Sequence, residues 1–85
     1  MNEHAILKIK IQSTRGTKEF SFSEETKIAD VIAKAVEAFG FAPGDKFELV
    51  LAVHAGEPLQ PERTLASYNF ADGTALILTA IGGGV

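Results

Sequence analysis

The chain has 85 residues, enough for one domain with a modest core. It has no cysteine, which excludes disulfides, thiolate metal sites and cysteine nucleophiles. Eight basic and eleven acidic residues give a net charge of -3, which argues against a general nucleic-acid-binding surface. No run approaches the roughly 18 apolar residues of a membrane span, and the N-terminus lacks a signal-peptide pattern. We therefore expect a cytoplasmic protein that binds neither nucleic acid nor membrane.

The N-terminal quarter has the alternating pattern of a β-hairpin. Leu7, Ile9 and Ile11 share one face of a predicted first strand, "AILKIKIQ". In "KEFSFS", Phe20 and Phe22 share one face of a predicted second strand. The intervening "STRGT" predicts a short turn that contains a glycine.

A helical period follows the hairpin. We expect Thr26 to cap the helix, with Glu24 and Glu25 near the positive end of its dipole, and Gly40 to end it. The apolar positions fall on one helical face at Ile28, Val31, Ile32, Ala35, Val36 and Phe39.

The C-terminal half predicts further strands. "KFELVLAVH" (residues 46–54) alternates, with Phe47, Leu49, Leu51 and Val53 on one side, and both of its sides are fairly apolar. The next twenty residues predict mostly irregular structure, with a short strand near Leu59 and a turn at Asp72-Gly73. "ALILTAI" predicts the last strand.

This order of elements predicts an α+β fold of the β-grasp type. One helix would pack across a mixed sheet of four to five strands, and if the first and last strands lie side by side, they are central and parallel. We assign residues 1–81 to this domain and residues 82–85 to a flexible glycine-rich tail.

The stretch "HAGEPLQPERTLASYNFADGTALILT" resembles the second half of ubiquitin. The similarity includes a turn at Ala55-Gly56, Leu59 just after it, "RTLASYN" at 63–69, and Leu76 and Leu78 in the last strand. "IADVIAKAV" is similar to ubiquitin's helix, so the resemblance spans roughly residues 5–85, with a longer loop around 42–54. It implies a ubiquitin-like β-grasp in which the Tyr68 hydroxyl pins a loop. The chain also resembles bacterial ubiquitin-like proteins of operons with E1-, E2- and deubiquitinase-like genes.

The last residues are Gly82, Gly83, Gly84 and Val85. An activating enzyme draws the terminal carboxylate into a narrow channel, where glycine has no side chain to clash. A terminal β-branched residue would block that step. Resemblance to ubiquitin precursors therefore implies that a JAB-type deubiquitinase-like protease removes Val85. Gly84 would become the reactive terminus, with cleavage after Gly83 as the alternative.

The same resemblance implies a protein modifier that serves as a substrate of enzymes and is not itself an enzyme. An E1-like activating enzyme would use ATP, an E2-like enzyme would carry the modifier as a thioester, and a target protein would accept it. The domain would need no cofactor of its own. In the bacterial systems that the chain resembles, such conjugation serves antiphage defence.

The resemblance also implies a partner-binding patch centred on Val53, with Ile77 and Thr79 from the last strand. The alternative from strand alternation is that Val53 belongs to the core. Lys34 is the lysine that clearly matches a ubiquitin lysine, so it is the candidate acceptor for chains. "TAIGGGV" lacks the arginines that precede ubiquitin's glycines, which implies a dedicated activating enzyme.

Metal binding and other functions compete with the modifier hypothesis. His4 and His54 have no third ligand nearby in the sequence, so we expect no metal site. A sulfur carrier would convert its terminal glycine to a thiocarboxylate, although such carriers usually end at Gly-Gly. A non-conjugated ubiquitin-like binding module would use its surface alone. A frayed terminus of no use is the remaining interpretation of the glycines.

Overall fold

The computed structural model describes residues 6–42 and 46–81, apart from the side chains of residues 54–56. Its elements in chain order are β1 (Ile6–Ser13), β2 (Gly16–Ser23), α1 (Ile28–Phe39), β3 (Phe47–Leu51), β4 (His54–Pro58), α2 (Leu65–Tyr68) and β5 (Thr74–Ala80).

In the described part of the chain, five strands form one mixed sheet in the order β2-β1-β5-β3-β4. The first and last strands lie side by side and run parallel, with Ile9 opposite Thr74 and Gln12 opposite Ile77. The other neighbouring strands are antiparallel. This arrangement confirms the predicted ubiquitin-like β-grasp.

The core lies between one face of the sheet and α1. Ile9, Ile11 and Leu76 have no exposed surface, as the alternation of their strands predicts. Each such side chain contributes about 1.5–3 kcal/mol through burial. The helix contributes Ile28, Val31, Ala35 and Phe39 to the same core.

The start of α1 differs from the prediction, because Thr26 does not cap it. Lys27 occupies the cap position without a side-chain hydrogen bond. The first two helical amides instead donate to a distant loop, from Ile28 to the Arg63 carbonyl (2.8 Å) and from Ala29 to the Pro61 carbonyl (2.9 Å). Tertiary contacts therefore satisfy the free amides that a capping side chain satisfies in other helices.

The same two segments also cap α2, a short helix that the sequence analysis did not predict. The Leu65 amide donates to the Thr26 carbonyl (2.9 Å) and the Ala66 amide to the Glu24 carbonyl (2.8 Å). Each helix start thus donates to carbonyls of the segment that precedes the other helix. This exchange fixes the loop before α2 against the N-terminus of α1.

The end of α1 is held by a glycine and by an arginine from the β1–β2 turn. Gly40 adopts the left-handed conformation (φ 77°), as predicted. The Arg15 guanidinium donates to the Phe39 carbonyl (3.2 Å) and the Gly40 carbonyl (2.9 Å) and lies 4.6 Å from the centroid of the Phe41 ring. A cation at this position complements the helix dipole.

The predicted long third strand is wrong in its length. The strand β3 ends at Leu51, and a turn at Ala52 and Val53 leads directly into β4. The sequence analysis expected a short strand near Leu59. The observed strand, β4, runs from His54 to Pro58 and ends one residue before Leu59. Proline is tolerated there because β4 is an edge strand. Among the described residues, no helix is long and apolar enough to cross a bilayer.

Replacing Arg15 with alanine should lower the free energy of unfolding by about 1–2 kcal/mol, because two charge-assisted hydrogen bonds to the helix end are lost. The matched control is Lys18→Ala, whose ammonium lies 5.9 Å from the centroid of the Phe39 ring. We expect a smaller loss for this more distant cation–π contact. Urea denaturation, monitored by circular dichroism, measures the free energy of unfolding of both variants. Equal losses in the two variants would contradict the capping role of Arg15.

Candidate functional site

The chain leaves the domain at the end of β5. Ala80 is opposite Phe47 in the antiparallel pair with β3, and the Ile81 amide donates to the Lys46 carbonyl at 2.9 Å. Ile81 is therefore fixed to the sheet, with 46% of its surface exposed. The predicted conjugation residues Gly82, Gly83, Gly84 and Val85 lie outside the described residues, so their role stays a prediction.

The outer face of the sheet, which points away from α1, has a small apolar centre. Val50 is opposite Ile77 on the neighbouring strand, and Gln12 is opposite Ile77 on the other side. Val50 is only 5% exposed, whereas Ile77 is half-buried. Strand alternation predicted apolar residues on both sides of β3, and Val50 accounts for its outer side.

Polar side chains surround this centre on the outer face. Thr79 is opposite Glu48, and Lys10 is opposite Glu19. Glu48 is on β3, the strand of Val50, whereas Lys10 and Glu19 are on β1 and β2, on the other side of β5. A partner docking here would meet a narrow apolar contact with charged groups at its margin, as at many protein interfaces.

Val53, the predicted centre of the partner-binding patch, does not lie on the strand, and its role in partner binding stays a prediction. Val53 lies in the turn after β3 and is 89% exposed, so it belongs neither to the strand face nor to the core. The structure brings Ile77 and Thr79 to the outer face, and Val50 occupies the position on β3 opposite Ile77. The physical reason is that β3 ends at Leu51, after which alternation no longer determines direction.

The loop around the "RTLASYN" run is held by Tyr68, as the resemblance implied. The Tyr68 hydroxyl accepts a hydrogen bond from the Gln60 amide at 2.8 Å. The Arg63 guanidinium carbon lies 4.0 Å from the centroid of the Tyr68 ring and the guanidinium donates to the Ser67 hydroxyl and carbonyl. The Phe70 ring stacks on the Tyr68 ring, with their centroids 5.3 Å apart. The ring and its hydroxyl therefore fix the path of this loop.

Lys34 lies exposed on α1, but exposure does not single it out. The other lysines, at positions 8, 10, 18, 27 and 46, are exposed as well. Its role as an acceptor therefore stays a prediction. Of the two histidines considered for a metal, His4 lies outside the described residues and the His54 side chain is not described. The described part of the chain contains no group of three residues suited to hold a metal ion.

The sequence analysis missed a cleft between β1 and β5. The two strands stop pairing after Gln12 and Ile77, and beyond that point a space of about 490 Å³ opens between them. Phe41 and Phe47 line it together with the strand ends. Their positions on either side of the loop before β3 were visible in the sequence, but nothing in the pattern indicated that β1 and β5 diverge.

A family model described as "Protein of Unknown function (DUF2604)" matches residues 2–85. No curated protein matches the chain. A designed protein based on ubiquitin is 29% identical over 93% of both chains, with a TM-score of 0.74. The ubiquitin of Caldiarchaeum subterraneum is 26% identical, with a TM-score of 0.74 over 94% of this chain and 100% of that chain. A structure described as molecular mimicry of SUMO shares the fold alone, at 15% identity over 92% of this chain and 95% of that chain, with a TM-score of 0.77.

Replacing Tyr68 with phenylalanine should cost about 1 kcal/mol of stability, because the ring contacts remain and one hydrogen bond is lost. Hydrogen exchange measured by NMR should become faster at the Gln60 amide. The amides of Ile28 and Ala29 serve as internal controls, since they bond to other carbonyls of the same loop. Unchanged exchange at Gln60 would show that the hydroxyl does not hold the loop.

Proposed function

The chain belongs to the family described as proteins of unknown function (DUF2604), and we propose that it is a ubiquitin-like protein modifier. The observation that carries the proposal is the position of the glycines relative to the fold. Directly after Ile81, the last described residue and one bonded to the sheet, the sequence continues Gly-Gly-Gly-Val. A modifier needs this arrangement, in which a compact domain is followed at once by residues without side chains.

The proposed chemistry uses the terminal carboxylate of Gly84 after removal of Val85. The carboxylate attacks the α-phosphate of ATP on an E1-like enzyme and releases pyrophosphate. A cysteine thiolate of that enzyme then displaces AMP to form a thioester, which passes to the cysteine of an E2-like enzyme. A target amine finally displaces the thiol and forms an amide bond. The chain supplies the acyl group, and the enzymes supply the catalytic residues.

Recognition by partners would involve the outer face of the sheet. Ile77, opposite the buried Val50, supplies apolar surface with Thr79 on the same strand. Lys10, Glu19 and Glu48 supply charge around it. The exposed Val53 in the turn after β3 remains part of the proposed surface. Because no arginine precedes the glycines, we propose a dedicated activating enzyme and a JAB-type deubiquitinase-like protease that removes Val85. Lys34 is the proposed acceptor if the modifier forms chains.

The proposal extends to a bacterial setting, on the basis of the resemblance stated above. Genes for E1-, E2- and deubiquitinase-like proteins would lie beside the gene for this chain, and conjugation would serve antiphage defence in the cytoplasm. Loss of the gene should then raise the plating efficiency of phage on the host, and an intact copy should restore resistance.

The first test is the intact mass of the full-length protein recovered from its native cells. We expect loss of Val85 and heavier species joined to other proteins through Gly84, identified as branched peptides after digestion. A chain in which one oxygen is replaced by sulfur would support a sulfur carrier instead. An unprocessed chain without heavier forms would favour a binding module.

Substitution of the terminal glycine provides the matched variants. Gly84→Val should reduce conjugates at least tenfold, because a β-branched residue would stand at the activated carboxylate. A chain that ends at Gly84 should form conjugates even in cells without the protease. If Gly84→Val conjugates at the wild-type level, the proposed acyl donor is wrong.

A further inference from the structure

One end of the domain, here called the exit end, contains Ala80 and Ile81, the last described residues before the tail. Because β1 and β5 are parallel, the β1–β2 turn lies at the same end as Ala80 and Ile81. The hydrogen bonds of Arg15 place the C-terminus of α1 there as well. The exit end thus combines the tail attachment, a β-turn and a helix end.

The cleft between β1 and β5 opens at this exit end. Thr14 lines one wall, beyond the last paired residue of β1, and Thr79 and Ala80 line the other. Phe41 and Phe47 also line the space. The two rings pack against each other with centroids 4.8 Å apart, so they form a single aromatic surface within the cleft.

The lining selects for an uncharged occupant. Every described residue that lines the cleft is apolar or carries only a hydroxyl or amide group. The Arg15 guanidinium lies 4.6 Å from the centroid of the Phe41 ring, but the described lining residues include no charged side chain to pair with a charged occupant, whose burial would be costly. The volume of about 490 Å³ is sufficient for one aliphatic or aromatic side chain. The cleft therefore suits an apolar anchor from a partner protein.

The short reach of the tail identifies which partner meets the exit end. Gly84 follows Ile81 by three residues, and a fully extended chain spans at most about 11 Å over that distance. An enzyme that acts on the Gly84 carboxylate must therefore contact the exit end of the domain. Since the tail has no arginine for such an enzyme to bind, the domain surface at the exit end has to supply recognition.

We infer that the cleft between β1 and β5 is the docking site for an apolar side chain of the activating enzyme. This inference rests on the proposed function, because it assumes that Gly84 is adenylated. The anchor, of leucine to phenylalanine size, would enter between Thr14 and Thr79 while the tail extends into the active site. The cleft shares Gln12, Ile77 and Thr79 with the outer face of the sheet, so the anchor would lie beside that face.

The test uses full-length protein, tagged at the N-terminus and expressed in its native cells as the only copy. Thr14→Trp places an indole on the cleft wall. The indole would exclude the anchor in either of two positions, inside the cleft or across its mouth. Thr14 lies on the wall of the cleft opposite Thr79 and Ala80, so the substitution leaves the residues that lead into the tail unchanged. Thr17→Trp is the matched control, because Thr17 is exposed on the same hairpin but does not line the cleft. Thermal melting verifies that both variants fold.

We expect conjugates of Thr14→Trp to fall at least tenfold, while Thr17→Trp stays near the wild-type level and Val85 is still removed from both. Wild-type conjugation by folded Thr14→Trp would overturn the docking inference and leave the modifier proposal intact. An equal loss of conjugates in Thr17→Trp would also overturn the docking inference. Retention of Val85 in Thr14→Trp would overturn it as well, because the cleft would then serve the protease. Absence of conjugates in the wild type would reject the modifier proposal, and with it this inference.

Discussion

The parallel pairing of β1 and β5 is the constraint on which the rest of the structure depends. It joins strands from opposite ends of the described chain, and it places Ile9, Ile11 and Leu76 beneath the helix without exposed surface. The Asp72-Gly73 turn anchors the start of β5, since the Lys8 amide donates to the Asp72 carboxylate (3.0 Å) and the Gly73 amide to the Lys8 carbonyl (2.8 Å). Closing so long a loop is entropically costly, and burial of these apolar side chains offsets the cost.

A second long-range arrangement holds the loops on the other side of the core. The starts of α1 and α2 donate to carbonyls of each other's preceding segments, so α1 forms without a local side-chain cap. Thr64 caps α2 through its own hydroxyl, which accepts from the Ser67 amide. Tyr68 then fixes Gln60 from the inside of the same loop. The "RTLASYN" run therefore has a structural role throughout.

These constraints place two candidate partner surfaces next to each other, with Ile77 and Thr79 common to both. The outer face of the sheet has its apolar centre at Ile77 and Val50, whereas the cleft opens at the exit end beside Thr79 and Ala80. Because β5 contributes to both surfaces, it connects them to the glycines that follow Ile81. In the proposed modifier, one strand would thus link an interaction surface, an enzyme-docking cleft and the reactive terminus, while the helix on the opposite face supplies stability.

The sequence by itself determined the strands of the hairpin, the core face of α1 and the last strand, since the alternation of Leu7, Ile9 and Ile11 and the helical period from Ile28 follow directly from burial on one side. The β-grasp followed from the order of these elements together with the resemblance to ubiquitin. The role of Tyr68 followed from the resemblance to ubiquitin. Only the tertiary structure decided where β3 ends, that Val50 rather than Val53 is opposite Ile77, what caps α1, and that β1 and β5 diverge into a cleft. Periodicity records which side of an element is buried. Register, strand ends and capping by a distant carbonyl depend on residues far apart in the chain, and local patterns carry no information about them.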